Sequence, residues 1–300
     1  MSPLRNLYFL FMLFIFCGFM GGVLIMGLQY AMGIDPYNWQ GSINQSTDVG
    51  LRNSARFFAL LNNLTSFLLP ALICAYFIAR KKWATYLRLT VFSKPINLLW
   101  SVLILLASIP LVQYTYSINR QLLLPEWMVS TEASTEVFIR GLLRAEHSYE
   151  FWLNIVLFAV IPALGEELFF RGMMQQLFQK LFRSPQLAIW TTAFVFSAIH
   201  FQFQGFIPRF LLGGILGYIF FHTGSLWMSI LGHYTNNALM VVSAHLFASG
   251  QLSVDLEKQE FPWQAGIASL ALTLFILYIL EKTNVRTDET AQEASGEENQ

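Results

Sequence analysis

The sequence contains little charge. Of its 300 residues, 12% are Asp, Glu, Lys or Arg, whereas 55% are hydrophobic. A soluble domain carries about 25% charged residues, so a chain with half of that proportion is expected to expose most of its surface to lipid. The formal net charge is zero, whereas a nucleic-acid-binding protein needs a basic patch that meets phosphates. The composition therefore predicts a membrane protein and argues against a nucleic-acid partner.

Cysteine is also scarce. Cys17 and Cys74 are the only two cysteines, and both fall within apolar runs. A disulfide framework or a cysteine metal site requires more thiols at closer spacing. Buried free cysteines usually pack as small apolar side chains, and we expect that of both.

Long apolar runs, in contrast, are abundant. A membrane-spanning helix needs about 20 mostly apolar residues, and this criterion predicts about eight of them. The predicted fold class is therefore all-α, a polytopic membrane helical bundle. The predicted spans lie near residues 7–30, 56–79, 97–115, 151–172, 187–204, 206–222, 225–247 and 262–281.

Basic residues are distributed unevenly among the predicted loops. The densest basic segment follows the second span and contains Arg80, Lys81, Lys82, Arg88 and Lys94. Loops rich in Lys and Arg stay in the cytoplasm, and with eight spans both termini fall on the same side as this segment. We therefore predict an integral, multi-pass protein of the cell membrane with both termini cytoplasmic.

The segments between the spans differ in character. Residues 1–120 hold the first three predicted helices, and 121–149 form an amphipathic segment that we expect to lie as a helix on the outer membrane interface. Residues 150–247 form the predicted catalytic core. The last loop and helix occupy 248–282, and the polar, acidic tail 283–300 is expected to be disordered.

Two pairs of glycines have helix-packing spacing. Gly18 and Gly22 lie in the first span, and Gly213 and Gly217 lie in the sixth. Small residues four apart allow close approach of a neighbouring helix in a membrane. We predict a packing function for both pairs.

Three polar clusters interrupt the apolar spans of the core. They are Glu166 and Glu167 with Arg171, Phe196 with His200, and His233 with Asn237. Ionisable groups at bilayer depth cost several kcal/mol on most scales, so they usually have a function there. The clusters therefore mark a candidate active site.

Helical geometry assigns different tasks to the two glutamates. Adjacent residues of a helix project about 100° apart, so Glu166 and Glu167 cannot share one face. Arg171 follows Glu167 by four residues, which is the favourable spacing and order for a helical ion pair. We predict a structural pair of Glu167 and Arg171, which leaves Glu166 to face a cavity.

The remaining residues suit the hydrolysis of an amide or ester. A carboxylate shielded from water, such as Glu166, is suited to act as a general base on water, and His200 could orient that water. His233 and Asn237 share a helix face and could stabilise an oxyanion. The same residue types also fit zinc or another divalent metal, with Glu166, His200 and His233 as ligands.

Two other classes of protein stay open. A non-catalytic membrane protein could use the same fold to bind a partner, and a transporter could use buried Glu and His. The sequence shows no internal repeat and no matching pair of Gly/Pro-broken helices, which makes transport the weaker alternative. The HExxH motif of zinc proteases and the GxSxG motif of serine hydrolases are absent from the sequence.

Taken together, the clusters resemble the CPBP family of intramembrane proteases, also called the ABI or type II CAAX prenyl endopeptidase family. Its signatures EExxxR, FxxxH and HxxxN are matched without departure over about residues 150–245. The resemblance implies a membrane-embedded endopeptidase. The matched site residues are Glu166 and His200 for activation of water, His233 and Asn237 for the oxyanion hole, and Glu167, Arg171 and Phe196 in support.

The resemblance also implies partners. The substrate would be a membrane-associated peptide or protein, with or without a lipid group, and in the eukaryotic and archaeal branch it is a prenylated CAAX protein. Bacterial members are tied to bacteriocin self-immunity, peptide maturation and the cell envelope. The family is widely labelled as metalloproteases, whereas the glutamate–water mechanism that we prefer needs no metal, and both interpretations stay open at this point.

Overall fold

The computed structural model describes residues 2–36, 43, 48–256 and 259–297, with side chains as far as Asn284. Within these ranges the chain folds into nine helices joined by turns and loops. They are α1 Pro3–Ala31, α2 Val49–Tyr86, α3 Ile96–Asn119, α4 Glu126–Leu143, α5 Ser148–Phe182, α6 Pro185–Ala198, α7 Phe206–Thr223, α8 Leu226–Ala248 and α9 Trp263–Glu297.

Six of these helices, α1, α2, α3, α5, α7 and α9, are long and apolar enough to cross a membrane. The predicted all-α polytopic bundle and its integration into a membrane are therefore confirmed. Helix α6 has 14 residues, about 21 Å at 1.5 Å per residue, which is shorter than a hydrocarbon core of about 30 Å. Helix α8 contains the polar His233–Asn237 stretch, so the total of eight spans remains a prediction.

The fifth predicted span needs a correction at its end. It was expected to continue to residue 204, but α6 ends at Ala198, and His200 lies in the turn that follows. Phe201 adopts a left-handed backbone conformation with a φ of 51°, which a helix cannot accommodate. His200 therefore projects from a turn and not from a continuous helix face.

Helix α5 forms the centre of the bundle. It contacts α1, α2, α6, α7 and α8, and 56% of its most apolar stretch is buried, against 17% for α1. Two π-helical turns widen it, at Ile155–Val160 and Phe170–Gln175. The first directly precedes Pro162, whose missing N–H breaks the regular hydrogen-bond pattern. The second holds Arg171, and such turns are frequent at functional sites.

Close helix packing relies on glycine at particular positions. A Cβ on Gly217 of α7 would lie 2.9 Å from Ile189 Cγ2, and a Cβ on Gly213 would lie 3.1 Å from Ala193, both on α6. The predicted packing function of this pair is confirmed. The prediction for Gly22 is wrong, because none of the described residues has an atom within 4 Å of a Cβ placed there.

Two further predictions concern segments outside the core, the amphipathic segment 121–149 and the tail 283–300. The amphipathic segment is helical, as predicted, and forms α4. The backbone of α9 is helical to Glu297, whereas a disordered tail was predicted over 283–300. Ala, Gln and Glu in this tail are strong helix formers. Side chains beyond Asn284, and residues 298–300, lie outside the described part of the chain.

Candidate active site

The predicted pair of Glu167 and Arg171 is present at the middle of α5. Arg171 Nη1 lies 2.5 Å from Glu167 Oε1, and both side chains are fully buried. Arg171 Nη2 donates to the carbonyl oxygen of Gly213 at 2.8 Å. A guanidinium with its planar fork suits such a double contact better than an ammonium. Arg171 therefore links α5 to the glycine surface of α7.

His233 of α8 lies between the two glutamates. Its Nδ1 is 2.9 Å from Glu167 Oε1, and its Nε2 is 3.8 Å from Glu166 Oε2. An ionised carboxylate accepts hydrogen bonds only, so Nδ1 carries the hydrogen and donates to Glu167. This fixes the ring and directs its Nε2 towards Glu166.

Phe196 joins the two histidines. Its ring centroid is 5.0 Å from that of His200 and 5.9 Å from that of His233, and both contacts are edge-on. The guanidinium of Arg171 lies 5.2 Å from the same ring centroid, within the range of a cation–π interaction. The phenyl ring of Phe196 therefore contacts all three polar side chains, those of His200, His233 and Arg171.

His200 is held by its own turn. Its Nδ1 lies 2.7 Å from the carbonyl oxygen of Phe196. Since a carbonyl can only accept, Nδ1 carries the hydrogen and Nε2 is left as an acceptor. His200 can therefore accept a hydrogen bond from water at the other side of the ring.

The structure does not bring all the predicted residues into direct contact. In the described part of the chain, no hydrogen bond or ion pair joins Glu166 to His200, and the partner of Glu166 is His233. Asn237 lies one turn beyond His233, half-buried, and its Oδ1 accepts from Asn236 Nδ2 at 3.2 Å. The site therefore consists of a compact Glu166–His233–Glu167–Arg171 cluster, with His200 and Asn237 beside it.

The arrangement does not fit a divalent metal. Zinc takes three or four protein ligands at about 2.0–2.3 Å. Among the described residues, no three His, Cys, Asp or Glu side chains converge in a way that could hold an ion. No step of the chemistry below is routed through a metal.

Two neighbours of the site were missed by sequence reasoning. Arg209, in the first turn of α7, interacts electrostatically with both Glu166 and His200, and its Nη1 donates to the carbonyl of Gln202 at 3.0 Å. Glu132 of α4 reaches the turn that carries His200. A lone arginine at the start of an otherwise apolar helix was the available indication for Arg209, whereas nothing in the sequence separates Glu132 from the acidic residues around it.

The fold and the site define a polytopic membrane protein with a buried carboxylate–histidine cluster. Residues 148–239 match the family model described as type II CAAX prenyl endopeptidase Rce1-like. This range contains all three motifs, so the match to the family model falls on the same part of the chain as the resemblance that the motifs predicted. A search of curated proteins and a search of solved structures found no match.

Proposed function

We propose that the protein is an intramembrane endopeptidase that hydrolyses a peptide bond in a membrane-associated protein or peptide. The observation that supports it best is the different environment of two adjacent glutamates. Arg171 pairs with Glu167, whereas the contact of Glu166 is a histidine at 3.8 Å. A buried carboxylate that forms no ion pair with an arginine is suited to take a proton from water.

In the proposed reaction, Glu166 removes a proton from a water molecule while His200 Nε2 orients it. The water oxygen bonds to the carbonyl carbon of the substrate, whose oxygen takes up the negative charge of a tetrahedral intermediate. The carbon–nitrogen bond then breaks, and the proton held by Glu166 passes to the leaving amine. Glu166 is ionised again at the end of the cycle, so protons and charges balance.

In the proposed reaction, His233 and Asn237 donate hydrogen bonds to the oxyanion of the tetrahedral intermediate. The Nδ1 hydrogen of His233 is donated to Glu167. Nε2 can therefore donate to the oxyanion only when the imidazole is doubly protonated. Asn237 adds its amide Nδ2 as a second donor from the same helix. Preorganised donors in a site without bulk water commonly contribute most to such catalysis.

An apolar substrate segment is consistent with the surroundings of the site. A cavity of ≈ 390 Å³ lies between α3, α5 and α8. Its lining includes Leu164, two residues before Glu166, and Tyr234, directly after His233. Both residues lie on other helix faces than Glu166 and His233, so this cavity would hold an apolar part of the substrate away from the scissile bond.

The proposal includes an orientation. Following the bias of Lys and Arg, we place both termini in the cytoplasm and count α6 and α8 as crossings, which gives eight. The turn after α6 and the amphipathic helix α4 then lie on the outer side of the membrane. The substrate bond would be reached from that side.

The test is cleavage of a quenched fluorescent peptide library by purified protein in detergent, with and without a strong chelator. The variants are Glu166→Gln and, as a matched control, Glu126→Gln, which changes an exposed glutamate of α4. Cleavage that is lost only in Glu166→Gln and survives the chelator supports the proposal. Loss with the chelator that zinc reverses would instead indicate a metalloprotease.

Absence of cleavage by every variant would favour the non-catalytic alternative, a membrane protein that binds a partner or provides immunity to a bacteriocin. Transport is the weaker alternative, and ion flux in proteoliposomes that depends on Glu166 would support it. Both outcomes are distinct from peptide hydrolysis.

A further inference from the structure

The turn after His200 is held in place by a helix that carries none of the three motifs. Residues 199–205 connect α6 to α7, and His200 projects from the start of this turn. The backbone departs from helical geometry at Phe201, so the position of the imidazole depends on what fixes the turn. Besides Arg209 of α7, which donates to the carbonyl of Gln202, two side chains from outside the motif helices do so.

Glu132 of α4 provides the first attachment. Its Oε2 accepts from the backbone N–H of Gln204 at 2.7 Å, and its Oε1 accepts from the N–H of Gly205 at 3.2 Å. Glu132 is 7% exposed, whereas its neighbours Thr131 and Ala133 are exposed. Burial of a carboxylate is costly unless it is hydrogen-bonded, and bonds from N–H groups to an ionised carboxylate are among the stronger ones.

Asn119, at the end of α3, provides the second attachment. Its Nδ2 donates to the carbonyl of Phe203 at 2.6 Å, and its Oδ1 accepts from the N–H of Ile207 at 3.2 Å. The turn is thus fixed at residues 203–207 by two polar side chains. Of the two, Glu132 belongs to a separate amphipathic helix.

Helix α4 is attached differently at its two ends. At its C-terminal end, Arg56 donates to the carbonyl of Leu142 at 2.8 Å, and Asn154 donates to the carbonyl of Leu143 at 2.9 Å. These donors are buried and belong to α2 and α5. Its N-terminal half, in contrast, is mostly exposed and reaches the turn through Glu132 and through the edge-on contact of Trp127 with Phe203.

We propose that Glu132 is a positioning residue for His200. In this proposal α4 acts as a latch, because it is fixed at its C-terminal end and, through Glu132, holds the turn 199–205 against the site. The inference rests on the proposed proteolytic function. In the latched state the two backbone bonds keep the imidazole of His200 beside Phe196. Release of the latch frees the turn and displaces the imidazole from the water that it orients.

The test compares Glu132→Gln and Glu132→Ala with Glu126→Gln, an exposed glutamate on the same helix. Glutamine retains the shape of the side chain and one acceptor, so its effect should be the smaller. We expect kcat to fall roughly 10- to 100-fold in Glu132→Ala, because small displacements of a catalytic group have effects of this size. KM should not change, since Glu132 does not touch the substrate.

Amide hydrogen exchange of Gln204 and Gly205 gives a readout that does not depend on activity. It should become faster in Glu132→Ala, intermediate in Glu132→Gln, and unchanged in Glu126→Gln, while exchange along α5 stays slow in all three. Slow exchange along α5 shows that a variant is folded. If Glu132→Ala does not fold, Glu132→Gln alone decides the comparison.

The outcomes separate the two proposals. Unchanged exchange at Gln204 and Gly205 would overturn the latch, whatever the activity. Faster exchange with unchanged kcat would overturn the positioning of His200 and leave the proteolytic function standing. If the wild type cleaves no peptide while exchange responds to Glu132 as expected, the proteolytic function fails and the latch is supported as a structural contact.

Discussion

Two ion clusters are buried along α5, and they are built differently. The first lies at the start of the helix, where Glu150 Oε1 is 3.1 Å from Arg52 Nη2 and 2.7 Å from Arg56 Nη1. Glu150 Oε2 accepts from the N–H groups of Glu146 and His147 at 2.9 and 3.1 Å. Both carboxylate oxygens are therefore bonded, and the charge of Glu150 is opposed by two arginines.

The second cluster, at the middle of α5, is incomplete. Its two glutamates share one arginine, and Glu166 lies 3.8 Å from the nearest ring nitrogen of His233. Within the described part of the chain, Arg171 Nε has no hydrogen-bond partner. Buried polar groups are normally satisfied. At this cluster, therefore, a buried polar atom is still able to form a hydrogen bond.

The difference shows that a buried charge does not by itself indicate an active site. A saturated cluster fixes helices to each other, and here it joins α2, α4 and α5. An unsaturated one can bind water or a reacting group. Substitutions in the two clusters should therefore affect different properties, stability at Glu150 and hydrolysis at Glu166.

The largest effect is expected for Glu166→Gln. The substitution preserves the shape of the side chain and removes the base, so peptide hydrolysis should fall about 10²- to 10⁴-fold, the usual contribution of general acid–base catalysis. The thermal unfolding temperature in detergent should not change. Substantial hydrolysis in this variant would remove Glu166 from the mechanism.

The counterpart at the saturated cluster is Glu150→Gln. Removal of one partner leaves two buried arginines insufficiently compensated, which should destabilise the fold by about 3–5 kcal/mol. Thermal unfolding in detergent measures the loss, and hydrolysis per folded molecule should persist. A variant with normal stability and no hydrolysis would contradict the distinction between the two clusters.

Arg171→Lys tests the bridge between α5 and α7. Lysine retains the charge but lacks the planar fork, so it cannot bond Glu167 and the Gly213 carbonyl in the same geometry. Loss of one hydrogen bond to a charged group should cost about 1.5–3 kcal/mol of stability. Hydrolysis should also decrease, because Glu167 orients His233. Unfolding and kcat are measured on the same preparation, and a change in neither would show that the bridge is dispensable.

Gly217→Ala probes the packing around the bridge. The new Cβ would lie 2.9 Å from Ile189 Cγ2 and 3.0 Å from Gln175 Oε1, and such overpacking should cost about 1–3 kcal/mol. Gly22→Ala is the control, because no atom of the residues that the structure describes lies within 4 Å of the Cβ it would add. Alanine there should stabilise the helix by up to about 1 kcal/mol. Equal unfolding temperatures for both variants would contradict the close contact of α6 and α7.

The smallest effect is expected at the partly exposed pair of Glu136 and Arg140 on α4. Their charged atoms are 3.0 Å apart, with 45% of the Glu136 side chain exposed. Pairs of this kind contribute about 0–1 kcal/mol, so Glu136→Gln should change the unfolding temperature very little. A loss as large as that of Glu150→Gln would show that exposure does not separate the two kinds of pair.

Much of this architecture follows from local pattern. Apolar runs placed the starts of most helices within a few residues, because a helix in lipid must satisfy its backbone internally and be apolar throughout. The i, i+4 rule found the Glu167–Arg171 pair, since both residues lie on one helix. The end of α6 was missed because the apolar run continues through Ile199 and Phe201, although the backbone turns there.

The missed residues have long-range partners. Arg52 and Glu150 are 98 positions apart, and Glu132 meets a backbone N–H 72 positions away. No helical period relates such residues, so no pattern in the sequence could pair them. Their contacts depend on which helices become neighbours after folding.

The sequence by itself determined the helical class, the residues able to do chemistry and the family that they resemble. These depend on composition and on spacing within single helices. Only the tertiary structure decided that His233, and not His200, lies against Glu166, and that α4 reaches the turn of His200. The reason is physical: which carboxylate meets which nitrogen is set by the packing of α5, α6, α7 and α8 against each other, and close packing depends on all of these helices at once.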